Sequence, residues 1–162
     1  MKYNMKIIID IDPSVNEPEV IIRANEETSL VKEIVSFIQE RTAGEQSTIT
    51  VFRNGITKEI SQSEIIRVYT EDRKMIVWTS GGEYQTSCTL RELEEIFDKY
   101  RFLRISRYEI INLDHVSGFD MSFKGTIKVF FEDGSYSWVS RRFVKAVQDR
   151  LSVLAGSRRE LQ

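Results

Sequence analysis

Basic side chains gather where the predicted strands of this chain end. They are Arg73, Lys74, Arg101, Arg104, Arg107, Arg141, Arg142 and Lys145. Fixed cations at turns suit phosphate oxygens, and the planar guanidinium of arginine can also form two hydrogen bonds with the edge of guanine. These residue types therefore favour nucleic-acid binding. On charge alone, solvated loop residues are the simpler interpretation.

The residues that could support catalysis or bind a metal do not form a recognisable set. His115 is the single histidine, and no Gly-x-Ser-x-Gly motif accompanies it, so we interpret it as structural or surface. Cys88 alone makes neither a disulfide nor a zinc site, and a buried apolar thiol is its default. Gly81-Gly82 lacks the spacing and the lysine of a phosphate-binding loop. We expect no catalytic residue, cofactor, metal or small-molecule substrate.

Charge is distributed unevenly along the 162 residues, whose formal net charge is −2. Residues 1–60 hold seven Lys and Arg against ten Asp and Glu, whereas residues 101–162 hold eleven against seven. The mild overall acidity therefore hides a basic C-terminal part. No apolar run approaches the roughly 20 residues of a membrane span, and Asp10 and Asp12 interrupt any signal-peptide core. We expect a soluble cytoplasmic protein.

The first third of the chain predicts a small α/β unit. Apolar residues at helical spacing indicate a helix over Ser29–Thr42, with Thr28 or Ser29 as its cap and Gly44 at its end. Asn54-Gly55 is a strong hairpin turn signal. β-branched segments predict strands at Met5–Ile11, Glu19–Arg23 and Thr48–Phe52.

Beyond Ser61 the pattern changes to many short strands, so the fold class is α+β, dominated by β. Strands are predicted at Ile65–Thr70, Lys74–Thr79, Glu83–Ser87, Phe102–Ile105, Glu109–Asn112, Thr126–Phe131 and Ser135–Val139, with turns at Glu71-Asp72, Gly81-Gly82 and Asp133-Gly134. A capping box from Thr89 to Glu92 begins a short helix with the apolar stripe Leu90, Leu93, Ile96 and Phe97. Ser140 is the predicted cap of a final helix whose apolar face is Phe143, Val144, Val147 and Leu151.

Three aromatic residues, Trp78, Trp138 and Tyr136, raise base stacking as an alternative mode of nucleic-acid binding. We favour packing instead, with Trp78 in the core and with Trp138 and Tyr136 on one face of the last strand.

The segment Phe102–Asn112, FLRISRYEIIN, resembles the signature of the LytTR family: an apolar-basic strand, a short polar turn, two apolar residues and an Asn. Flanking pieces occur in the family's order, with a basic turn at Arg73-Lys74 upstream and, downstream, Val116-Ser117-Gly118, the Asp133-Gly134 hairpin and Val139–Arg142. The resemblance covers residues 61–151. LytTR domains bind DNA in many bacterial transcription regulators.

The resemblance implies an elongated, multi-sheet β domain with short helices that lies along double-stranded DNA and inserts loops into successive major grooves. The matching base-contact positions are Arg73, Arg107 and Arg142. The neighbouring residues Lys74, Arg104, Ser106, Arg141 and Lys145 would hold phosphates. Family members often carry His or Asn at the first two positions, so no target sequence is transferred. Asn112 also belongs to the family pattern, but its short amide suits a structural bond to nearby backbone.

The predicted domains are a small N-terminal extension at residues 1–57, the LytTR-like domain at residues 61–152 and a flexible tail at residues 153–162. The extension is too short for a receiver domain, and it could supply dimer contacts, a docking surface or a lid on the β domain. The resemblance implies a homodimer or a DNA-induced pair on promoter repeats, and a small membrane protein as a candidate regulator. The alternative is a protein-interaction module that keeps the β fold without binding DNA.

Overall fold

Short antiparallel strands dominate the computed structural model, which describes residues 5–16, 18–46 and 48–159. The strands are β1 Thr48–Arg53, β2 Ile56–Ser61, β3 Ile65–Glu71, β4 Lys74–Thr79, β5 Gly82–Thr86, β6 Phe102–Ser106, β7 Glu109–Asn112, β8 Val116–Asp120, β9 Ile127–Phe131 and β10 Tyr136–Val139. The α-helices are α1 Ser29–Gln46, α2 Leu90–Ile96 and α3 Val144–Arg159, and 3-10 turns occupy Gln62–Glu64, Leu113–His115 and Arg141–Phe143. The contacts within the chain divide it into two compact units, Met1–Val35 and Ser36–Gln162.

Within the described residues the strands form two sheets. The large sheet has seven strands in the order β2-β1-β5-β4-β3-β7-β6, and the small sheet has three in the order β10-β9-β8. Tight turns join many neighbours, as predicted at Asn54-Gly55, where both residues have positive φ (53° and 79°) and Arg53 pairs with Ile56.

The large sheet separates two hydrophobic cores. Alternate residues of one strand point to opposite faces, so Ile110 of β7 lies in one core and its neighbour Ile111 lies in the other. The first core includes Leu93 of α2, and the second includes Val129 of β9 and Val147 of α3. The second core therefore attaches the small sheet and α3 to the large sheet.

Helix α2 begins with the predicted capping box. The side chain of Thr89 accepts from the backbone N–H of Glu92 at 3.3 Å, and the Glu92 carboxylate accepts from the backbone N–H of Thr89 at 2.7 Å. The hydrogen bond from the Thr89 backbone N–H, and to a lesser extent the one from the Thr89 hydroxyl, lower the pKa of the Glu92 carboxyl. Leu90, Leu93 and Phe97 are buried as predicted, whereas Ile96 is 45% exposed, so its assignment to the apolar stripe was wrong.

Two predicted N-terminal strands, Met5–Ile11 and Glu19–Arg23, are not formed. Both segments are irregular, and Ile7 and Ile9 are about four-fifths exposed (79% and 80%). β-branched composition favours extended backbone, but a strand also needs a hydrogen-bonded neighbour. Helix α1 begins at Ser29 as predicted, with Thr28 Oγ1 accepting from the backbone N–H of Val31 at 3.3 Å, and it continues past Gly44 to Gln46. One glycine costs a helix only about 1 kcal/mol.

Two local features differ from the expected strand pattern. Strand β8 was not predicted, since Ser117 and Gly118 are poor strand formers, and its register shifts between Val116 and Gly118. The β3–β4 turn lies one residue later than predicted, at Asp72 and Arg73, because β3 extends through Glu71.

Candidate nucleic-acid interface

The β3–β4 turn displays the first candidate arginine. Glu71 pairs directly with Lys74, so Asp72 and Arg73 form a two-residue turn, and both have positive φ (46° and 64°). Positive φ at both central residues defines a type I′ turn, whose backbone twist matches the right-handed twist of the two strands it joins. The side chains of Arg73 and Lys74 are exposed at its tip.

The β6–β7 turn displays the second. Ser106 pairs with Glu109, which leaves Arg107 and Tyr108 as the two turn residues, both exposed. The Ser106 hydroxyl accepts from the backbone N–H of Tyr108 at 3.1 Å. Ser106 therefore stabilises the turn in addition to lying beside the candidate contact.

Arg104 is placed differently from the other basic residues. Its Nε donates to the Ser106 carbonyl at 3.0 Å, its Nη2 donates to the Arg107 carbonyl at 2.9 Å, and its Nη1 bonds the carboxylate of Glu94 on α2. Only about a quarter of the Arg104 side chain is exposed (25%). The guanidinium faces the β6–β7 turn rather than extending into solvent.

The third candidate arginine lies in the 3-10 turn Arg141–Phe143 between β10 and α3. The backbone N–H of Ser140 donates to the Ile105 carbonyl at 2.9 Å, which fixes this turn beside β6. Phe143 packs against the second core, while Arg141 and Arg142 are exposed. The side chain of Ser140 does not form the predicted cap bond. Farther along, Lys145 is exposed on α3 and forms a 3.0 Å ion pair with Asp149.

Backbone hydrogen bonds bring the three arginine-bearing turns to one end of the large sheet. The backbone N–H of Thr70, near the end of β3, donates to the Tyr108 carbonyl at 2.9 Å, so the β3–β4 and β6–β7 turns are neighbours. A cleft of about 190 Å³ then joins the β6–β7 turn to the third turn. It is lined by Ser106, Arg107, Tyr108, Ser140, Arg141 and Arg142.

Two residues of this region were not among the predicted site residues. Tyr108 is 60% exposed and lines the cleft beside Arg107, and Glu94 orients Arg104. Tyr108 could have been found from the sequence, because it follows Arg107 inside a short turn where side chains project outward. Glu94 carries no such signal, since its contact is made only once α2 packs beside β6.

Asn112 and His115 have the structural roles that were expected. Asn112 is fully buried, its amide donates to the Ile65 carbonyl at 2.9 Å, and its oxygen accepts from the backbone N–H of Asp114 at 3.0 Å. The Nε2 of His115 lies 2.8 Å from the Ser63 carbonyl. Cys88 is half-buried and packs against the first core. Among the described residues no cluster of three His, Cys, Asp or Glu could hold a metal.

The aromatic residues divide between the two sides of the small sheet. Trp78 of β4 is half-buried against the second core, while Tyr136 and Trp138 share the exposed side of β10 (53% and 41% exposed). Lys128 lies 4.0 Å from the Tyr136 ring centroid, and Phe123 packs edge-on against Trp138. The expected shared face is confirmed, but both rings on it are exposed, and Trp78 borders the second core rather than lying within it.

A polar network ties the two sheets together behind the arginine-bearing turns. Glu109 of β7 accepts from Arg67 of β3 at 3.2 Å and from the hydroxyl of Ser137 on β10. Trp78 of β4 donates from Nε1 to Asp133 in the β9–β10 turn at 2.7 Å. Partial burial raises the pKa of Asp133, but the bonds from Ser135 and Trp78 outweigh it and leave this pKa below its ordinary value. The network ties the β9–β10 hairpin, which leads into the third turn, to strands β3, β4 and β7 of the large sheet.

The described residues contain no helix long and apolar enough to span a membrane.

The described helices α2 and α3 are separated by five strands, so these two are not joined by a short turn. The exposed basic side chains of this surface come from the turns between strands, from the start of β4 (Lys74), from the segment that precedes α3 and from the first turn of α3 (Lys145).

Comparison with known proteins agrees with this architecture. The family model of the LytTr DNA-binding domain matches residues 56–152. An uncharacterized HTH-type transcriptional regulator from Staphylococcus aureus strain MRSA252 is 25% identical over 149 residues, which cover 92% of this chain and 99% of the relative. A regulator of the same description from strain NCTC 8325 / PS 47 is 24% identical over the same share of both chains.

A solved structure has the same fold. It is the LytTr DNA-binding domain of a Bacillus cereus protein described as a methyl-accepting/DNA response regulator, with a TM-score of 0.63 and 20% identity, covering 65% of this chain and 97% of that chain. The predicted family and the β-dominated fold class are confirmed. Since the family model spans more than half of the residues, the chain belongs to the LytTR family of DNA-binding domains.

Proposed function

We propose that this protein regulates transcription by binding double-stranded DNA at specific sequences, and that its three arginine-bearing turns enter successive major grooves. One observation carries this proposal: backbone bonds and a shared cleft gather Arg73, Arg107 and Arg142 at one end of the large sheet. Arginine forms bidentate bonds with guanine N7 and O6, which only the major groove presents together. The family and the names of the relatives support DNA binding and regulation.

The proposed division of labour follows from exposure and partners. Arg73, Arg107 and Arg142 are exposed on short turns and would contact base edges. Lys74, Arg141 and Lys145 are exposed beside them and would hold phosphates, with the Ser106 hydroxyl as a weaker candidate. The bonds of Arg104 to the Ser106 and Arg107 carbonyls favour a supporting role over the phosphate contact that was predicted from the sequence.

We further propose that two copies bind adjacent promoter repeats, because linking two binding events raises affinity through effective concentration. The exposed isoleucines of residues 5–11 offer an apolar surface for dimer contacts or for a membrane-protein regulator.

The test is selection followed by titration. Wild-type protein is used to enrich duplexes from a random-sequence pool, and the affinity for an enriched duplex is then compared with that for random duplex at two salt concentrations. Arg107→Ala should weaken specific binding by about tenfold. Lys99→Ala is the matched control, since Lys99 is an exposed cation just before β6, at the opposite end of that strand from the β6–β7 turn.

Failure to enrich any sequence would contradict the proposal. Indifference to all DNA at low salt would instead support the protein-interaction alternative.

A further inference from the structure

We propose that Glu94 and Arg104 form a positioning pair, which holds the β6–β7 turn in the conformation that presents Arg107 to DNA. This inference rests on the proposed function, because it concerns how one of the proposed base contacts is oriented. It differs from a phosphate contact by Arg104, which would make the same residue a direct ligand.

The first support is the set of atoms that Arg104 binds. Its Nε and Nη2 donate to the carbonyls of Ser106 and Arg107, at 3.0 and 2.9 Å. These consecutive carbonyls belong to the residue before the turn and to the first turn residue. A planar guanidinium that spans both carbonyls restricts the peptide orientation on either side of Arg107.

The second support is an irregularity in the strand pairing. The register between β6 and β7 shifts between Arg104 and Ser106. Such shifts bend a strand and redirect the side chains that follow it. The bonds from Arg104 bridge this irregular stretch and fix the direction in which the strand enters the turn.

The third support is the anchor on α2. The carboxylate of Glu94 bonds Arg104 Nη1, and the Glu94 side chain is 40% exposed. Its neighbour Leu93 is fully buried in the first core, and the capping box fixes the start of α2. Glu94 therefore projects from a firmly packed helix and holds the guanidinium in one orientation.

A positioning role predicts that Glu94→Gln changes the affinity for a specific site in the direction opposite to the one expected from charge alone. Glu94→Gln removes a negative charge beside a DNA-binding surface, so electrostatics alone predict tighter binding to every duplex. Positioning predicts the opposite for a specific site, because a looser turn misplaces Arg107. Binding to random duplex depends mainly on phosphate contacts and should be unchanged or slightly tighter.

The experiment measures binding of the full chain to a duplex enriched by wild type and to random-sequence duplex, across a range of salt concentrations. Glu94→Gln and Arg104→Lys should each weaken specific binding by about tenfold, with the slope against log salt unchanged. Lysine keeps the positive charge but lacks the planar fork that reaches two carbonyls and a carboxylate. Glu95→Gln, at the neighbouring exposed carboxylate, is the matched control and should not weaken specific binding.

A second measurement tests the effect of the pair on the β6–β7 turn in the absence of DNA. Hydrogen exchange at the backbone amides of Arg107 and Tyr108 should be faster in Glu94→Gln than in wild type, while thermal unfolding and exchange in β3 stay unchanged. This separates the inference from the proposed function: if wild type selects no sequence but turn exchange still responds to Glu94, only the proposed function fails.

The positioning pair is overturned by any of three results. Arg104→Lys could keep wild-type specific affinity, Glu94→Gln could tighten binding to both duplexes, or turn exchange could be insensitive to Glu94. The first result would return Arg104 to the role of a phosphate ligand, with a salt slope about one unit smaller in Arg104→Ala.

Discussion

The indole N–H of Trp78 on β4 donates a 2.7 Å hydrogen bond to Oδ2 of Asp133 in the β9–β10 turn, and so joins the large sheet to the small sheet. The two residues are 55 positions apart in the sequence. The β9–β10 hairpin leads directly into the segment that carries Arg142. This bond therefore contributes to the relative placement of two proposed DNA-contacting regions.

Loss of the indole donor should lower stability. Trp78→Phe retains an aromatic ring but leaves the Asp133 carboxylate without this bond. We expect a loss of about 1 kcal/mol in the free energy of unfolding, because the bond is charge-assisted but accessible to water. Urea denaturation of wild type and Trp78→Phe provides the measurement. Trp138→Phe, at an exposed indole, is the control, and it should change the free energy of unfolding by less than about 0.5 kcal/mol. Equal effects would show that ring size, rather than the bond, matters.

Stability should also depend on pH through Asp133. Its pKa in the folded protein lies below the ordinary value of 3.8, despite partial burial, because Ser135 and Trp78 donate to the carboxylate. A depressed folded-state pKa contributes stability that is present above the unfolded-state pKa and is lost as the pH falls through the folded-state pKa. We expect Asp133→Asn to lose less unfolding free energy than wild type between about pH 5 and pH 3. Parallel curves for the two proteins would contradict this.

The buried amide of Asn112 should be essential to the fold behind the proposed interface. Asn112→Ala removes a fully buried amide and leaves the Ile65 carbonyl and the partly buried Asp114 N–H without their partner, so we expect a loss of about 2–4 kcal/mol. Asn54→Gly is the control: Asn54 has a φ of 53°, which glycine adopts freely, and this change should stay within about 0.5 kcal/mol. Chemical denaturation distinguishes the two. A small effect at Asn112 would mean that water replaces the amide.

Phosphate contacts and base contacts should respond differently to salt and sequence. Lys145→Ala should weaken binding to enriched and random duplexes alike and reduce the salt slope by about one unit. Arg142→Ala should instead cost about 1–3 kcal/mol on the enriched duplex and relax the preference at one position of the site. Fluorescence anisotropy titrations at several salt concentrations separate the two patterns. If both variants lost affinity uniformly, the assignment of Arg142 to a base edge would be wrong.

Local signals in the sequence predicted the local parts of this structure. Asn54-Gly55 predicted a tight turn, since few other dipeptides accept two positive φ angles. Thr89 and Glu92 predicted the start of α2, because both bonds of a capping box form within four residues. The resemblance located the β6–β7 turn and the third arginine-bearing turn.

Long-range contacts account for what the sequence did not predict. Residues 5–11 have strand-like composition but no strand neighbour, and pairing is not encoded in composition. The role of Arg104 depends on Glu94, which reaches it only through the packing of α2 against the sheet. The bond between Trp78 and Asp133 likewise exists only once two sheets have docked. A phosphate contact was the natural inference for Arg104 because, in the sequence, it lies near a strand end like the exposed basic residues around it.

Methylation interference tests the central claim most directly. Guanine N7 lies in the major groove, so premethylation there blocks any arginine that binds this edge. Wild-type protein on an enriched duplex should show interference at guanine N7 in separate major-groove clusters, and Arg107→Ala should lose one cluster while Lys99→Ala keeps them all. Interference confined to adenine N3 in the minor groove, or a pattern unchanged in Arg107→Ala, would contradict reading of the major groove by these turns.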